Sequence, residues 1–130
     1  MDQHLFAAAS AAMERAYAPY SKFQVGAAIL AENGRIYSGC NVENAAYPVG
    51  TCAEAGAISA MIRDGALQIR EIVVIGHGDK LCTPCGGCRQ RIREFAASET
   101  KVHVCGPEGL RRTYTRDELL PDSFGPENLA

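Results

Sequence analysis

Thr51-Cys52-Ala53-Glu54, then Ile72-Val73-Val74-Ile75, then Cys82-Thr83-Pro84-Cys85-Gly86-Gly87-Cys88: three short runs within residues 51–88 decide the fold. The first opens a helically spaced apolar stretch through Ile58, Met61 and Ile62 that ends near Gly65, so a helix is expected there. The second is a continuous β-branched run, as expected of a strand covered on both faces. The third is a Gly- and Cys-rich loop leading into another helix, one face of which is marked by Cys88, Ile92 and Phe95. Strand-helix-strand steps of this kind call for parallel strands joined by right-handed crossovers.

Outward from this segment the periodicities stay short and regular. Leu5, Ala9, Ala12, Met13 and Ala16 predict an amphipathic helix over residues 3–17, stopped by Pro19. Phe23, Val25, Ala27 and Ile29 alternate with period two, Asn33-Gly34 signals a two-residue hairpin, and a second strand follows from Arg35 to Cys40. Residues 41–50 read as loop, with Pro48 and Gly50 as breakers. Lys101–Cys105 and Leu110–Tyr114 read as two further strands, and one helical turn is expected near Asp117. The order is α-β-β-α-β-α-β-β. It predicts an α/β fold: a mixed five-stranded sheet with helices on both faces, in one domain over residues 1–130. No internal repeat, linker or low-complexity tract interrupts it.

Composition narrows the function. In 130 residues, 47% are hydrophobic and 22% charged, the ordinary globular mix. Thirteen Lys and Arg against fifteen Asp and Glu give a net charge of −2, without the basic excess that gripping a phosphate backbone needs, so no nucleic-acid partner is expected. No apolar run approaches the ~20 residues of a membrane span, so no membrane partner is expected. Met1-Asp2-Gln3-His4 lacks a basic leader, and a cytoplasmic location is expected. In a reducing compartment the six cysteines stay free, and three of them at three-residue intervals point to metal or redox chemistry.

Helix starts that follow loops on one edge of an α/β sheet can converge where ligand sites form. Convergence of the starts at Cys52 and Cys85 would gather Cys52, Cys85 and Cys88 as three thiolates. Three protein ligands with an open fourth position is the arrangement of a catalytic zinc, whereas a structural zinc is closed by four. Helix N-termini stabilise thiolates through their partial positive charge and free N–H groups. Glu54, two residues after Cys52, is placed to exchange a proton with a zinc-bound water without being a ligand.

Cys-x-Glu followed by Pro-Cys-x-x-Cys is the pattern of the zinc deaminases. Further blocks agree in order: Tyr17-Ala18-Pro19-Tyr20-Ser21-Lys22-Phe23, Val25-Gly26-Ala27-Ala28, Cys40-Asn41-Val42-Glu43-Asn44-Ala45, Cys88-Arg89-Gln90, and Leu119-Leu120-Pro121 with Phe124 beyond. Over nearly its whole length the chain resembles the cytidine deaminases, in particular their short homotetrameric branch with three cysteine ligands. The resemblance implies that fold's three-layer form and deamination of cytidine and 2′-deoxycytidine in pyrimidine salvage. It implies Zn²⁺ on Cys52, Cys85 and Cys88, with Glu54 as proton shuttle. It also implies Asn41 and Glu43 on the ribose 3′-hydroxyl, Phe23 against the pyrimidine ring and the Ala53 N–H holding the base. Phe124 would close a neighbouring subunit's pocket, with Tyr47 at the same shared site. An ionised Glu43 accepts from a sugar hydroxyl and repels a phosphate, which favours a nucleoside over a nucleotide.

One position departs from the resembled pattern. The three-cysteine branch often carries arginine directly after the catalytic Glu, and here that residue is Ala55. Three thiolates on Zn²⁺ leave a site of net charge −1, a weaker acidifier of water, and Arg89 with the two helix dipoles is expected to compensate. Plainer readings stand beside these. Thr51-x-x-Glu54 is also a capping box, and Phe23 and Tyr47 are ordinary core residues by type. Cys82 reads as a small buried hydrophobe; as a fourth thiolate it would close the site into a non-catalytic zinc module. An iron–sulfur reading lacks the further Cys-Pro that such a series needs. His77 is a weak candidate ligand. A deaminase of another aminopyrimidine and a polynucleotide deaminase are the enzyme alternatives; Asn41-x-Glu43 argues against the first and the net charge against the second.

Overall fold

A computed structural model describes residues 1–130. Helix α1 (Gln3–Glu14) starts where the Asp2 carboxylate accepts from the His4 and Leu5 N–H groups, which would otherwise lack partners. Its apolar stripe, Leu5, Ala9 and Met13, packs on one face of the sheet against Ala28, Val73, Ile75 and Cys105. Strands β1 (Val25–Ala31) and β2 (Ile36–Cys40) form the hairpin. Helix α2 (Ala53–Arg63), strand β3 (Ile69–Gly76), helix α3 (Gly86–Phe95) and strand β4 (Ala96–Gly106) follow, then β5 (Gly109–Thr115) and the single turn α4 (Arg116–Leu119).

The sheet has the order β2-β1-β3-β4-β5. Only β3 and β4 are paired in parallel; the other neighbours run antiparallel. The larger core lies on the face opposite α1. There Ala27, Ile29, Ile72, Val74 and Val102 of the sheet meet Ala53, Ala57, Ile58 and Met61 of α2, Ile92 of α3 and Leu119 of α4. Neighbours in β1 and β3 divide between the two cores, as the two-residue period of a strand requires, so the uninterrupted Ile72–Ile75 run serves both. No helix is long and apolar enough to cross a membrane.

This topology positions the site. Because β1 runs antiparallel to both β2 and β3, those two strands end at the same edge, where Cys40 lies opposite Gly26 and Gly76 opposite Val25. The loops into α2 and α3 therefore leave side by side, with the start of β1 between them. Gly39 sets the height of α2: a Cβ there would lie 2.5 Å from the Ala53 carbonyl oxygen and from the Ala57 nitrogen. Only glycine lets the helix backbone approach the strand so closely.

Four local expectations are corrected. The hairpin loop has three residues, Glu32–Gly34: the Gly34 N–H bonds the Ala31 carbonyl, the Ala31 N–H bonds the Arg35 carbonyl, and Gly34 takes φ +80°. That is a turn closed by a left-handed bulge rather than a two-residue turn. Helix α1 ends at Glu14, three residues early, because the Tyr17 N–H is drawn to the Asn41 carbonyl. Strand β4 begins at Ala96, directly out of α3; its exposed Ala97, Ser98 and Glu99 hide the strand pattern, and the register shifts before Lys101. Finally, Thr51 does not cap α2. Its backbone exchanges both hydrogen bonds with Val42, which leaves Cys52 as the N-cap. The capping box of this chain lies instead at α4, between Thr115 and Glu118.

Candidate active site

Cys52 is the N-cap of α2 and Cys85 the N-cap of α3, and neither side chain makes a capping hydrogen bond. A serine or aspartate in these places would be spent on the helix N–H groups; the thiols stay available. Cys88, fully buried, stands in the first turn of α3. The three Sγ atoms lie within 4.8 Å of one another, with Cys52 and Cys85 3.9 Å apart. Thiolates around a tetrahedral zinc, with Zn–S near 2.3 Å, sit about 3.8 Å apart. The donor set thus fits a zinc ion by chemistry and by spacing, and three sulfurs leave a fourth position free.

Electrostatics at the cluster divide by environment. Burial pushes the Cys52 and Cys88 thiols up, whereas the Cys88 backbone N–H facing Cys85 holds that thiol below its usual range. Glu54, 4% exposed, follows Cys52 into the first turn of α2. Burial pushes its carboxyl up, opposed by its own N–H, by Cys88 and by the charge of Arg91. A buried carboxyl whose affinity for a proton is raised in this way is equipped to carry one.

Cys52, Cys85 and Glu54 open into a cavity of about 350 Å³ at the sheet edge, while the fully buried Cys88 does not line it. Phe23, Asn41 and Glu43 form the opposite wall, and Ala53 and Cys82 also line it. Asn41 is braced by the chain itself: its side-chain oxygen accepts from the Val25 N–H at 2.8 Å and its amide nitrogen donates to the Phe23 carbonyl at 2.9 Å. Glu43 accepts from the Tyr20 N–H at 2.9 Å, the Ser21 N–H at 3.1 Å and the Ser21 hydroxyl, which together hold its carboxyl below the usual range. Glu43 is also shared with an adjoining cavity of about 360 Å³, where the rings of Tyr20 and Tyr47 lie 6.0 Å apart.

Most of the sequence-derived candidates therefore meet in one place, and some do not. Phe124 lies outside both cavities, 58% exposed, its carbonyl held by Gln90 at 2.8 Å. Tyr47 reaches only the second cavity. Cys82 is outside the sulfur cluster; half-buried against the larger core, its thiol is pushed up to about 11 by burial. It lines the cavity and does not close the cluster. His77 lines neither cavity, and His103 is buried on the sheet between Glu71 and Thr113. Arg89 does not face the thiols. Its guanidinium is taken by the Pro84 carbonyl at 2.7 Å and the Leu119 carbonyl at 3.0 Å. The cation at the cluster is Arg91, 3.5 Å from the Cys88 sulfur. Its place three residues after a cysteine of the cluster on a helix is the signal that could have found it.

Comparison with known proteins agrees with this geometry. Residues 1–104 match the family model "Cytidine and deoxycytidylate deaminase zinc-binding region". The chain is 41% identical over 128 residues to the cytidine deaminase of Sporosarcina psychrophila, covering 98% of this chain and 94% of that one. The crystal structure of cytidine deaminase from Burkholderia pseudomallei superposes with a TM-score of 0.88 at 40% identity, covering 95% of this chain and all of the other. The Mycobacterium tuberculosis enzyme superposes at 0.80 with 37% identity, covering 94% and 95%. Fold and site together define a hydrolase of the deaminase class. The chain belongs to the cytidine deaminase family.

Proposed function

We propose that this chain catalyses zinc-dependent hydrolytic deamination of cytidine and 2′-deoxycytidine, giving uridine or 2′-deoxyuridine and ammonia, in cytoplasmic pyrimidine salvage. The observation that carries the reading is a cluster of three thiols, two of which, Cys52 and Cys85, line one cavity together with the buried Glu54 carboxyl. Cys52, Cys85 and Cys88 would hold the ion, and residues 1–130 would act as one catalytic domain. Zinc in such a site acidifies a water and so supplies a nucleophile near neutral pH.

The chain's own residues do the rest. Glu54 takes a proton from the attacking water and gives it to N3 of the cytosine ring. It then takes the second proton from the hydroxyl now on C4 and passes it to the amine as the C4–N bond breaks, so that water and cytidine become uridine and ammonia. Phe23 presents an apolar wall to the ring, and the Ala53 N–H, unpaired at a helix start, is a donor for the base. Asn41 and Glu43 face the ribose. The ionised Glu43 carboxylate disfavours a 5′-phosphate by like-charge repulsion, so the nucleoside is preferred to the nucleotide. A homotetramer with shared sites gives Tyr47 and the exposed Phe124 their place at a neighbour's pocket.

Conversion of cytidine, 2′-deoxycytidine and deoxycytidylate by the zinc-loaded protein is the test. Turnover of both nucleosides, faster than the nucleotide, is expected. Glu54→Gln is expected to lower kcat by about 10³-fold or more while keeping zinc, the loss of a proton carrier rather than of a ligand. Retained activity in Glu54→Gln would refute the assignment, and preferred turnover of deoxycytidylate would overturn the role of Glu43.

A further inference from the structure

Ala55 provides no charge beside the cluster, and Arg89 is committed to two carbonyls. Three thiolates around a divalent ion nevertheless leave one negative charge, which the low-dielectric interior around Cys88 screens poorly. Arg91 answers it. It sits one helical turn after Cys88 on α3, and helical side chains lean toward the N-terminus, which carries its guanidinium back along the first turn. There Nη1 donates to the Cys88 Sγ at 3.5 Å. Gly87 leaves the room: a Cβ at that position would come within 3.2 Å of the same nitrogen.

We propose that Arg91 is the counter-charge of the three-thiolate site, a positioning residue that acts on the metal through the Cys88 sulfur. A hydrogen bond from a cation withdraws electron density from a thiolate. The sulfur then donates less to the ion, and the ion keeps more of its charge for acidifying water. Arg91 thus performs, from α3, the compensation that an arginine after Glu54 would provide from α2. It touches neither substrate nor reacting atoms. The inference rests on the zinc reading above.

The test measures metal affinity and ligand electronics apart from activity. Zinc content of the wild-type protein comes first, then zinc competition against a chromogenic chelator at fixed neutral pH for wild type, Arg91→Met and Arg91→Lys. Because Arg91 is itself exposed, both variants are expected to fold. Arg91→Met is expected to bind zinc about tenfold more weakly, because losing the counter-charge of a net-negative site outweighs the stronger donation of the freed sulfur. Arg91→Lys is expected to recover part of the loss because it keeps the charge without the fork. In Co²⁺-substituted protein the sulfur-to-metal charge-transfer band of Arg91→Met is expected at lower energy than in wild type. The kcat for cytidine should fall with KM unchanged. An unchanged zinc affinity and an unmoved band in Arg91→Met overturn the proposal, as does a weakening in Arg91→Lys equal to that in Arg91→Met with no band shift in either, which would mark Arg91 as packing only. A wild-type protein that takes up no zinc defeats the zinc reading itself.

Discussion

Glu43 shows how one side chain can be committed before any substrate arrives. Its carboxylate gathers Tyr20 and Ser21 onto the cavity rim, and the Ser21 hydroxyl is the main influence lowering its pKa. A carboxyl depressed in the folded state stabilises that state above the ordinary range near 4.5 and loses the contribution as pH falls through the depressed value. The Tyr20 and Ser21 amide protons, followed by NMR, are therefore expected to hold their positions from neutral pH down past 4.5 and to move together in one step below it. In Glu43→Gln that step should vanish. Asn41 and Glu43 were legible in the sequence as polar residues of a loop; their bonds to Val25, Phe23, Tyr20 and Ser21 were not, because those partners lie 16 to 23 positions away. Arginines gave the opposite difficulty. Arg89 adjoins a cysteine of the cluster in sequence, but neighbouring helical residues point some 100° apart, and only the residue one turn on shares the sulfur's face.

Among the elements, α2 depends most on a single residue of another. Gly39 admits its backbone to the sheet edge, and the position of Cys52 and Glu54 follows from that approach. Gly39→Ala puts a methyl where two backbone atoms already lie, at a cost of about 1–3 kcal/mol, and is expected to lower both the melting temperature and zinc retention. Gly56→Ala, on the facing helix, meets Gly39 Cα at 3.5 Å, an ordinary contact, and should be neutral or stabilising through helix propensity. Thermal unfolding and zinc content of the two variants check the contrast. The helices and strands were readable because β-branched runs and four-residue periods dominate them. Their ends were not: Thr51 looks like a cap until Val42 claims its backbone, and the first half of β4 is too exposed to show a strand's alternation.

At the scale of the molecule, the residues assigned to the proposed shared site leave apolar surface in water: Phe23, Tyr47 and Phe124 are 40%, 75% and 58% exposed. Self-association would cover it, and on the proposed tetramer the active sites are complete only in the assembly. Sedimentation and activity over a dilution series are expected to fall together, and Phe124→Ala should raise KM for cytidine more than it lowers the melting temperature. Persistent turnover by monomers would contradict the shared site. Sequence could supply this only through resemblance, since the pattern that makes a residue buried in a partner is the same one that makes it buried in its own core. One connection within the chain does bear on it. Helix α3 carries Cys88 near its start and, from the same ten residues, grips the C-terminal segment: Arg89 on the Leu119 carbonyl, Gln90 on that of Phe124, Arg93 on Ser123 and Glu127. The sulfur cluster and the tail are thus two ends of one lever. On the proposed reading, in which zinc fills the cluster and copies of the chain assemble, an empty cluster that let α3 rock would slacken the tail as well, so that loading with metal and docking of neighbours would be coupled through one helix.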